Sequence, residues 1–172
     1  MKRLLFRAAL TATIVGPLAF VALFFAPFVL VAEDPIYINF STPQGSVKGE
    51  SQDPAHKNWV AADKVTIAGI EFNQANLSIL RQQYSGDTND GKPHVGEITI
   101  VKTTDSSSPK LFQAAASNTL FTRVTIDMLV CTGQNCNLAG RLVLGKSTIR
   151  IRRQAPNQEV IVLLTAETVT IR

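Results

Sequence analysis

The sequence predicts a mainly β protein, a small antiparallel β-barrel with one short α-helix, preceded by an apolar N-terminal helix. Three observations predict this fold. Apolar and polar residues alternate in several short runs that are separated by turn residues, which is typical of half-buried antiparallel strands. Only Ser108–Ala116 combines a helix start signal with a run of helix formers. Residues 1–32 form a basic and then apolar segment that a globular core does not need.

The first 32 residues are expected to be an export signal or a membrane anchor. Their three charged residues are all basic and all near the start: Lys2, Arg3 and Arg7. The run from 8 to 32 carries no charge. Because the positive end of such a segment stays in the cytoplasm, we expect the rest of the chain to cross the membrane.

Cleavage and retention of this segment both remain open. The apolar run is as long as a spanning helix, which favours a retained anchor. Pro17 and Pro27 interrupt it, and Ala32 is a small residue followed by the charged, Pro-containing stretch 33–35, which favours cleavage after Ala32. We therefore expect a periplasmic or secreted domain over residues 33–172, with an inner-membrane anchored domain in the periplasm as the alternative.

The charge of the remaining domain gives no sign of nucleic-acid binding. Residues 1–32 hold three of the 17 basic residues and none of the 13 acids, so residues 33–172 have a formal net charge of +1. No aromatic and basic residues interleave along a strand. A nucleic-acid partner is therefore not expected.

The first half of the domain reads as strands joined by loops. Residues 36–40 alternate as a half-buried strand, and the polar, Pro- and Gly-containing stretch 41–58 predicts a surface loop. Residues 59–72 are extended again, and their apolar face switches at Gly69, which predicts a bulge or bend there. Residues 73–93 lack periodicity and predict a mobile loop between strands.

A strand–helix–strand unit over 94–130 is the organising element of the fold. The helix should have Ser108 as its N-cap and Pro109 at its first position, and should end at 117–119. So short a helix is unstable alone in water, so its Leu111 and Phe112 side must pack on a sheet.

The rest of the chain continues as strands. Leu142 and Leu144 have the opposite parity to Ile149 and Ile151, which predicts a bulge at Gly145. Residues 154–158 form a turn, and 160–172 form the last strand.

The two cysteines, Cys131 and Cys136, flank a predicted hairpin turn. Directly opposite hairpin residues approach closely enough for a disulfide. Export places the pair in an oxidising compartment, so a disulfide is favoured over two free thiols. A zinc site is not expected, because the two histidines lie far from this turn in sequence.

The sequence carries no recognisable catalytic, cofactor or metal motif. His56 and His94 lie in predicted loops, and a solvated histidine is expected at each. Asp87 and Asp90 do not have calcium-loop spacing and are expected in a turn. We therefore expect a protein that is not an enzyme.

Arginines on the predicted 142–152 strand are a further candidate surface. Arg150 and Arg152 lie opposite the isoleucines of that strand. They are expected on a solvated strand face, with a binding surface or the lining of a channel as the alternative.

Two stretches resemble the haemolysin-coregulated protein (Hcp) family, the tube subunits of type VI secretion. One is VKGES at 47–51 followed by HKNWV at 56–60, and the other is the segment around the short helix. The matching residues, in the family's order, are Lys48, Gly49, Glu50, Ser51, His56, Ser108, Pro109, Leu111 and Ala115. The resemblance covers Ile36 to about Leu129, and the last forty residues only in outline.

The resemblance implies a β-barrel that self-associates into a ring of about six subunits. Rings would stack into a tube whose lumen holds or chaperones a secreted effector protein. It also implies that extended loops contact the next ring, which makes these residues the candidate assembly contacts: Lys48, Gly49, Glu50, Ser51, His56, Asp87 and Asp90. The apolar leader and the cysteine pair are departures from the family pattern, in which subunits are cytoplasmic and have no leader.

Two functions are therefore carried forward. The first is an exported type VI secretion structural protein of the Hcp type, which forms rings and holds cargo. The alternative is a periplasmic or membrane-tethered monomeric β-barrel that acts as a binding or adaptor module, attached to the membrane through residues 1–32 if these are uncleaved.

Overall fold

The computed structural model describes residues 34–84, 96–133, 135–164 and 169–172. These residues form ten strands and two helices. In chain order they are β1 Ile36–Thr42, β2 Gly45–Ser46, β3 Val60–Ala62, β4 Lys64–Ile67, β5 Ile70–Glu71, α1 Leu77–Tyr84, β6 Ile98–Thr103, α2 Ser108–Ala116, β7 Phe121–Thr132, β8 Asn135–Ala155, β9 Gln158–Leu164 and β10 Val169–Ile171. The mainly β prediction is confirmed.

All strand pairs among the described residues are antiparallel. The hydrogen-bonded order is β2-β1-β7-β8-β9-β6-β4-β5, with β3 beside β1 and β10 beside β8. This order is an open path, so the prediction of a closed barrel is wrong for the described sheet. The interruption lies at Asp63, which separates β3, a partner of β1, from β4, a partner of β6.

The long strand β8 joins two parts of the sheet. Residues from Asn135 to Ser147 pair with β7, and residues from Thr148 to Ala155 pair with β9. The buried positions change parity between Leu144 and Ser147, as the sequence predicted near Gly145. The bulge predicted at Gly145 is wrong for the pairing with β7, because the register is kept there and shifts instead between Met128 and Leu129.

The core fills the inner face of the folded sheet with β-branched and aromatic side chains. The alternation predicted for β1 is confirmed, because Ile36, Ile38 and Phe40 are all buried. Phe40 packs against Phe121 with ring centroids 5.3 Å apart. Ala68 and Gly69 both have positive φ and make the tight turn between β4 and β5, which confirms the bend predicted at Gly69.

The helix α1 was missed by the sequence analysis, which predicted one helix and a loop over 73–93. Leu77 and Leu80 bury its inner side, and Arg81 donates a hydrogen bond of 3.1 Å to the carbonyl of Ala139. At Gly140 a Cβ would lie 2.8 Å from a methyl of Leu77, so the missing side chain lets α1 pack directly on β8. Eight residues give too few repeats for a helical period to stand out.

The predicted helix α2 is confirmed, with its start displaced by one residue. Ser108 is its first residue and not its N-cap, and Ser107 at the cap makes no side-chain capping bond. Leu111 is fully buried, so the helix packs on the sheet as predicted. The predicted end is also confirmed, since Asn118 has φ of +49° just after the helix.

The last difference concerns the C-terminal end of the domain. The predicted final strand over 160–172 is two strands, β9 and β10, and β10 pairs with β8.

The predictions for residues 1–32, His94, Asp87 and Asp90 lie outside the described residues. No helix within the described ranges is long and apolar enough to cross a membrane.

Candidate functional site

The loop over residues 47–59 is closed by hydrogen bonds of its own backbone. The N–H of Gly49 donates to the carbonyl of Asn58 at 2.7 Å, and the N–H of Ser51 donates to that of Trp59 at 3.1 Å. Asn58 returns a bond of 2.9 Å to the carbonyl of Ser51. These bonds join the two sides of the loop, so the loop is an ordered surface element.

Gly49 is required by this close approach. A Cβ at position 49 would lie 2.3 Å from the carbonyl oxygen of Trp59 and 2.6 Å from the Cα of Val60. Both atoms belong to the backbone and cannot move aside without opening the loop. The loop therefore needs a residue without a Cβ at position 49, which explains the glycine of the KGES stretch.

His56 lies beneath the loop and is only 5% exposed. Its ring stacks on Tyr37 with centroids 4.9 Å apart, and Trp59 meets it edge-on at the same distance. Trp59 therefore packs against the histidine, which in turn stacks on Tyr37 of β1. The prediction of a solvated His56 is wrong, because the loop folds back over the outer face of β1 and β7.

A chain of four ionisable side chains holds the loop on the sheet, and we call it the loop anchor: Asp53, His56, Asp127 and Arg141. His56 Nδ1 lies 2.6 Å from Asp53 Oδ1, and Nε2 lies 2.9 Å from Asp127 Oδ2. Arg141 donates from Nε to Asp127 Oδ1 at 2.6 Å and from Nη2 to Oδ2 at 2.5 Å. The anchor thus connects the loop to β7 and, through Arg141, to β8.

The two aspartates alternate with His56 and Arg141 along the chain of contacts. A carboxylate only accepts hydrogen bonds, so both contacts of His56 are satisfied when both ring nitrogens carry a hydrogen. The hydrogen bond from His56 lowers the pKa of Asp53 below its ordinary value of 3.8. The hydrogen bond to Asp127 raises the pKa of Arg141. The geometry therefore favours the ionised forms of both outer residues.

The chemistry open to this site is limited. Both nitrogens of His56 are occupied and its ring is buried, so it has no free position for a proton transfer to a substrate. Within residues 34–84, 96–133, 135–164 and 169–172, no three His, Cys, Asp or Glu side chains are grouped as metal ligands would be. The histidine holds the loop in place.

A second buried polar cluster holds the start of α2, and we call it the helix anchor: Lys102, Asp105, Ser107, Ser108 and Glu159. Lys102 Nζ donates to Asp105 Oδ1 at 2.8 Å and lies 3.4 Å from Glu159 Oε2. The Ser108 hydroxyl donates to Glu159 Oε2 at 2.9 Å. The cluster therefore connects β6, β9 and the first turn of α2.

The helix anchor lies deeper than the loop anchor. The side chains of Lys102 and Glu159 are both fully buried. Burial opposes the charged form of Asp105, but hydrogen bonds from Lys102 and Ser107 outweigh it and lower its pKa. Glu159 Oε1 has no hydrogen-bond partner among the described atoms.

One contact links the loop over 47–59 to the segment just before α2. The carboxylate of Glu50, in the loop, accepts the N–H of Ser106 at 2.9 Å. Beside this bond lies a cavity of about 340 Å³, lined among others by Tyr37, Asp63 and Asp105. The loop and the start of α2 therefore share one border.

The residues predicted as assembly contacts divide by exposure. Lys48 and Glu50 are exposed, Gly49 is half-buried, and Ser51 and His56 are buried. The assembly role stays a prediction for all five, and Asp87 and Asp90 lie outside the described residues. Of these five, only Lys48 and Glu50 have an exposed side chain.

The other predicted residues lie where the sequence placed them. Cys131 and Cys136 are directly opposite in the β7–β8 hairpin and form a disulfide, which confirms that prediction. Arg150 and Arg152 are exposed on β8. Neither arginine belongs to the loop anchor or the helix anchor.

Most members of the two anchors were not predicted from the sequence. For Lys102 a signal existed, because it continues the buried face of Ile98 and Ile100. A lysine at a core position indicates a buried ion pair. Asp127 gave no such signal, because it lies on the outer parity of β7, where His56 of the loop and Arg141 of β8 contact it.

Comparisons with known proteins agree with this fold. The family model described as "Type VI secretion system effector, Hcp" matches residues 37–170. No curated protein matches the sequence.

Solved structures of similar fold include three that cover most of the chain. A type six secretion system protein has a TM-score of 0.57 at 19% identity, covering 80% of this chain and 82% of its own. Hcp1 from Salmonella typhimurium has a TM-score of 0.56 at 17% identity, covering 80% and 83%. The secreted protein Hcp3 from Pseudomonas aeruginosa has a TM-score of 0.52 at 15% identity, covering 81% and 97%.

Proposed function

The chain belongs to the Hcp family of type VI secretion proteins, and on that premise we propose that it is an exported structural subunit. It self-associates into a ring of about six copies, as closed cyclic symmetry allows with one repeated interface. The lumen of the ring holds a secreted effector protein. The chain acts through its surfaces, and it is not an enzyme.

The observation that carries this proposal is the ordered loop over 47–59. The loop anchor holds it from inside through His56 and Asp127, while Lys48 and Glu50 point outward. A loop that is already ordered loses little conformational entropy when a neighbour binds. This is the property expected of an assembly contact.

The site also supports a structural role over a catalytic one. His56 is the only histidine among the described residues, and both of its nitrogens contact carboxylates.

Arg150 and Arg152 form an exposed basic surface on β8, which could face the lumen or the outside of a ring. We assign the cargo contact to this surface.

Location outside the cytoplasm is part of the proposal. The basic and apolar leader over 1–32 has the composition of an export segment. The Cys131–Cys136 disulfide is of a kind that persists in oxidising compartments. The domain therefore works in the periplasm or beyond the cell.

The test is the mass of the assembled protein. The full chain is expressed with its leader, purified in a mild detergent, and measured by native mass spectrometry. We expect a discrete species of about six subunits. The denatured mass of the same sample reports whether cleavage after Ala32 has occurred.

A charge-reversal pair supplies the control. Lys48→Glu should weaken the ring, because it changes an exposed loop residue. Lys64→Glu changes an exposed lysine of β4, outside the loop, and should leave the ring intact. A wild-type monomer over the whole accessible concentration range would contradict ring formation and favour the monomeric adaptor.

A further inference from the structure

The end of the β7–β8 hairpin extends beyond the rest of the sheet. The pairing of β1 with β7 stops at Met128, and the last bond from that side joins the Leu129 N–H to the Pro35 carbonyl at 2.9 Å. Beyond this point the strand residues pair, among the described residues, only with each other. We call residues 129–132 and 135–138 the arm.

The disulfide lies within the arm and stabilises it. A two-stranded hairpin without a third strand is marginally stable in water at best. Cys131 and Cys136 face each other in register, so their bond joins the two strands near the turn. The disulfide therefore joins two strand ends that no third described strand supports.

The arm has an uncharged face with an exposed leucine. Directly opposite residues of a hairpin share a face, so Leu129, Leu138 and the disulfide lie together. Leu138 is 50% exposed. No residue from Met128 to Gly140 carries a charge. Leu138 is therefore the exposed apolar side chain of this face, whereas Leu129 is only 4% exposed.

A groove of matching character lies at the opposite end of β7. It has a volume of about 250 Å³ and lies between the β1–β2 hairpin and α2, with Val47, Ala114 and Phe121 among its lining residues. Lys110 is the one charged side chain that lines it. Phe121 begins β7 and Cys131 lies ten residues later, roughly 33 Å away along an extended strand.

We propose that the arm of one copy docks its Leu138 face into this groove of a second copy. This inference rests on the proposed self-association. The occupant is a second copy because the groove borders the loop proposed as an assembly contact, starting at Val47, and because an uncharged arm matches a groove with a single charge. Since arm and groove lie at opposite ends of β7, the contact is head-to-tail and can repeat from copy to copy.

Two variants break the contact from either side. Leu138→Asn removes the apolar side chain of the arm, and Ser46→Arg fills the groove from an exposed position of β2. Each should raise the Kd for self-association about tenfold or more, as the loss of an interface hot spot does. Ile79→Asn is the matched control, because Ile79 is 52% exposed and belongs to neither surface.

Mixing the variants gives the decisive result. A Leu138→Asn particle keeps an intact groove and a Ser46→Arg particle keeps an intact arm, so the two should form one-to-one complexes in sedimentation velocity. Dithiothreitol reduces the Cys131–Cys136 disulfide to two thiols and is itself oxidised to a cyclic disulfide. This treatment should weaken wild-type association as Leu138→Asn does. Cys131→Ser with Cys136→Ser should give the same loss without reductant.

The outcomes separate this inference from the proposed function. Wild-type protein that never associates contradicts both. Wild-type protein that associates, with Leu138→Asn and Ser46→Arg associating equally well, overturns the arm-and-groove contact and leaves self-association standing. Weakened variants whose mixture forms no complex also overturn it.

Discussion

The loop anchor and the helix anchor solve the same problem at different depths. Each uses buried charges to fix a surface element on the sheet: one holds the loop over 47–59 and the other holds α2. In the loop anchor the outer members reach water, with Asp53 22% and Arg141 42% exposed at the side chain. In the helix anchor Lys102 and Glu159 are fully buried, and one carboxylate oxygen has no partner.

Because of this difference in depth, we expect the two anchors to respond differently to the loss of one member. A buried charge whose partner is removed cannot be rehydrated, so it costs far more than an exposed one. The helix anchor should therefore control the stability of the whole domain. At both ends of the loop anchor, water can replace a lost contact. We therefore expect the loop anchor to affect the order of the loop more than the stability of the domain.

The largest effect is expected for Lys102→Met. The variant leaves Asp105 and Glu159 facing each other without the buried cation, and the free energy of unfolding should fall by about 3–5 kcal/mol. Urea denaturation measures the change. A second replacement, Glu159→Leu, made in the same chain should recover part of it, because an apolar pair avoids the unpaired charge.

Lys64→Met is the matched control for that prediction. Lys64 contacts Glu71 at 2.8 Å, but both side chains are nearly half exposed. Surface ion pairs contribute little, so its loss should change the free energy of unfolding by less than about 1 kcal/mol. If Lys102→Met and Lys64→Met lowered the free energy of unfolding equally, burial would not explain the difference between the two ion pairs.

A smaller effect is expected for Asp127→Asn. The change weakens the contacts to His56 and Arg141 at once, and we expect a loss of about 2–3 kcal/mol, because hydrogen bonds to a charged group contribute about 1.5–3 kcal/mol. Trypsin should also cut faster after Lys57, as the loop is released. Unchanged cleavage after Lys57 would show that the anchor does not hold the loop.

Gly49→Ala isolates the backbone contribution of the loop. The new Cβ would press on the carbonyl of Trp59, and forcing a methyl into such a site costs about 1–3 kcal/mol. Thermal unfolding measures it. Lys48→Ala, one residue earlier and exposed, should stay within about 0.5 kcal/mol of wild type.

The smallest effect is expected for the pH dependence of Asp53. Its pKa is lowered in the folded protein, so its contribution to stability is complete above the ordinary value of 3.8 and is lost as the pH falls through the folded value. In Asp53→Asn the free energy of unfolding should fall less between about pH 5 and about pH 3 than it does in wild type. A steeper fall in the variant would contradict the assigned contact.

The sequence predicted those parts of the fold that depend on local pattern. The alternation of β1, the helix α2, the turn at Gly69 and the cysteine pair each follow from a few neighbouring residues. The start of α2 was displaced because the hydroxyl of Ser108 bonds to Glu159, fifty-one residues away, instead of capping the helix. Such a partner cannot be found by local reasoning.

The candidate site was harder to predict because its members come from distant segments. His56 looked solvated, since its loop is polar and gives no sign that it folds back over β7. Asp127 and His56 are 71 residues apart, and only the strand pairing brings them together. The resemblance to the Hcp family identified the loop, but not the ion pairs that order it.

The central claim is that internal charges order a loop through which copies of the chain assemble. The most direct test is the native mass of Asp127→Asn beside wild type at one concentration, with circular dichroism showing that both are folded. The account predicts a ring of about six subunits for wild type and mainly monomer for the variant. A folded Asp127→Asn protein that forms the same ring would contradict it.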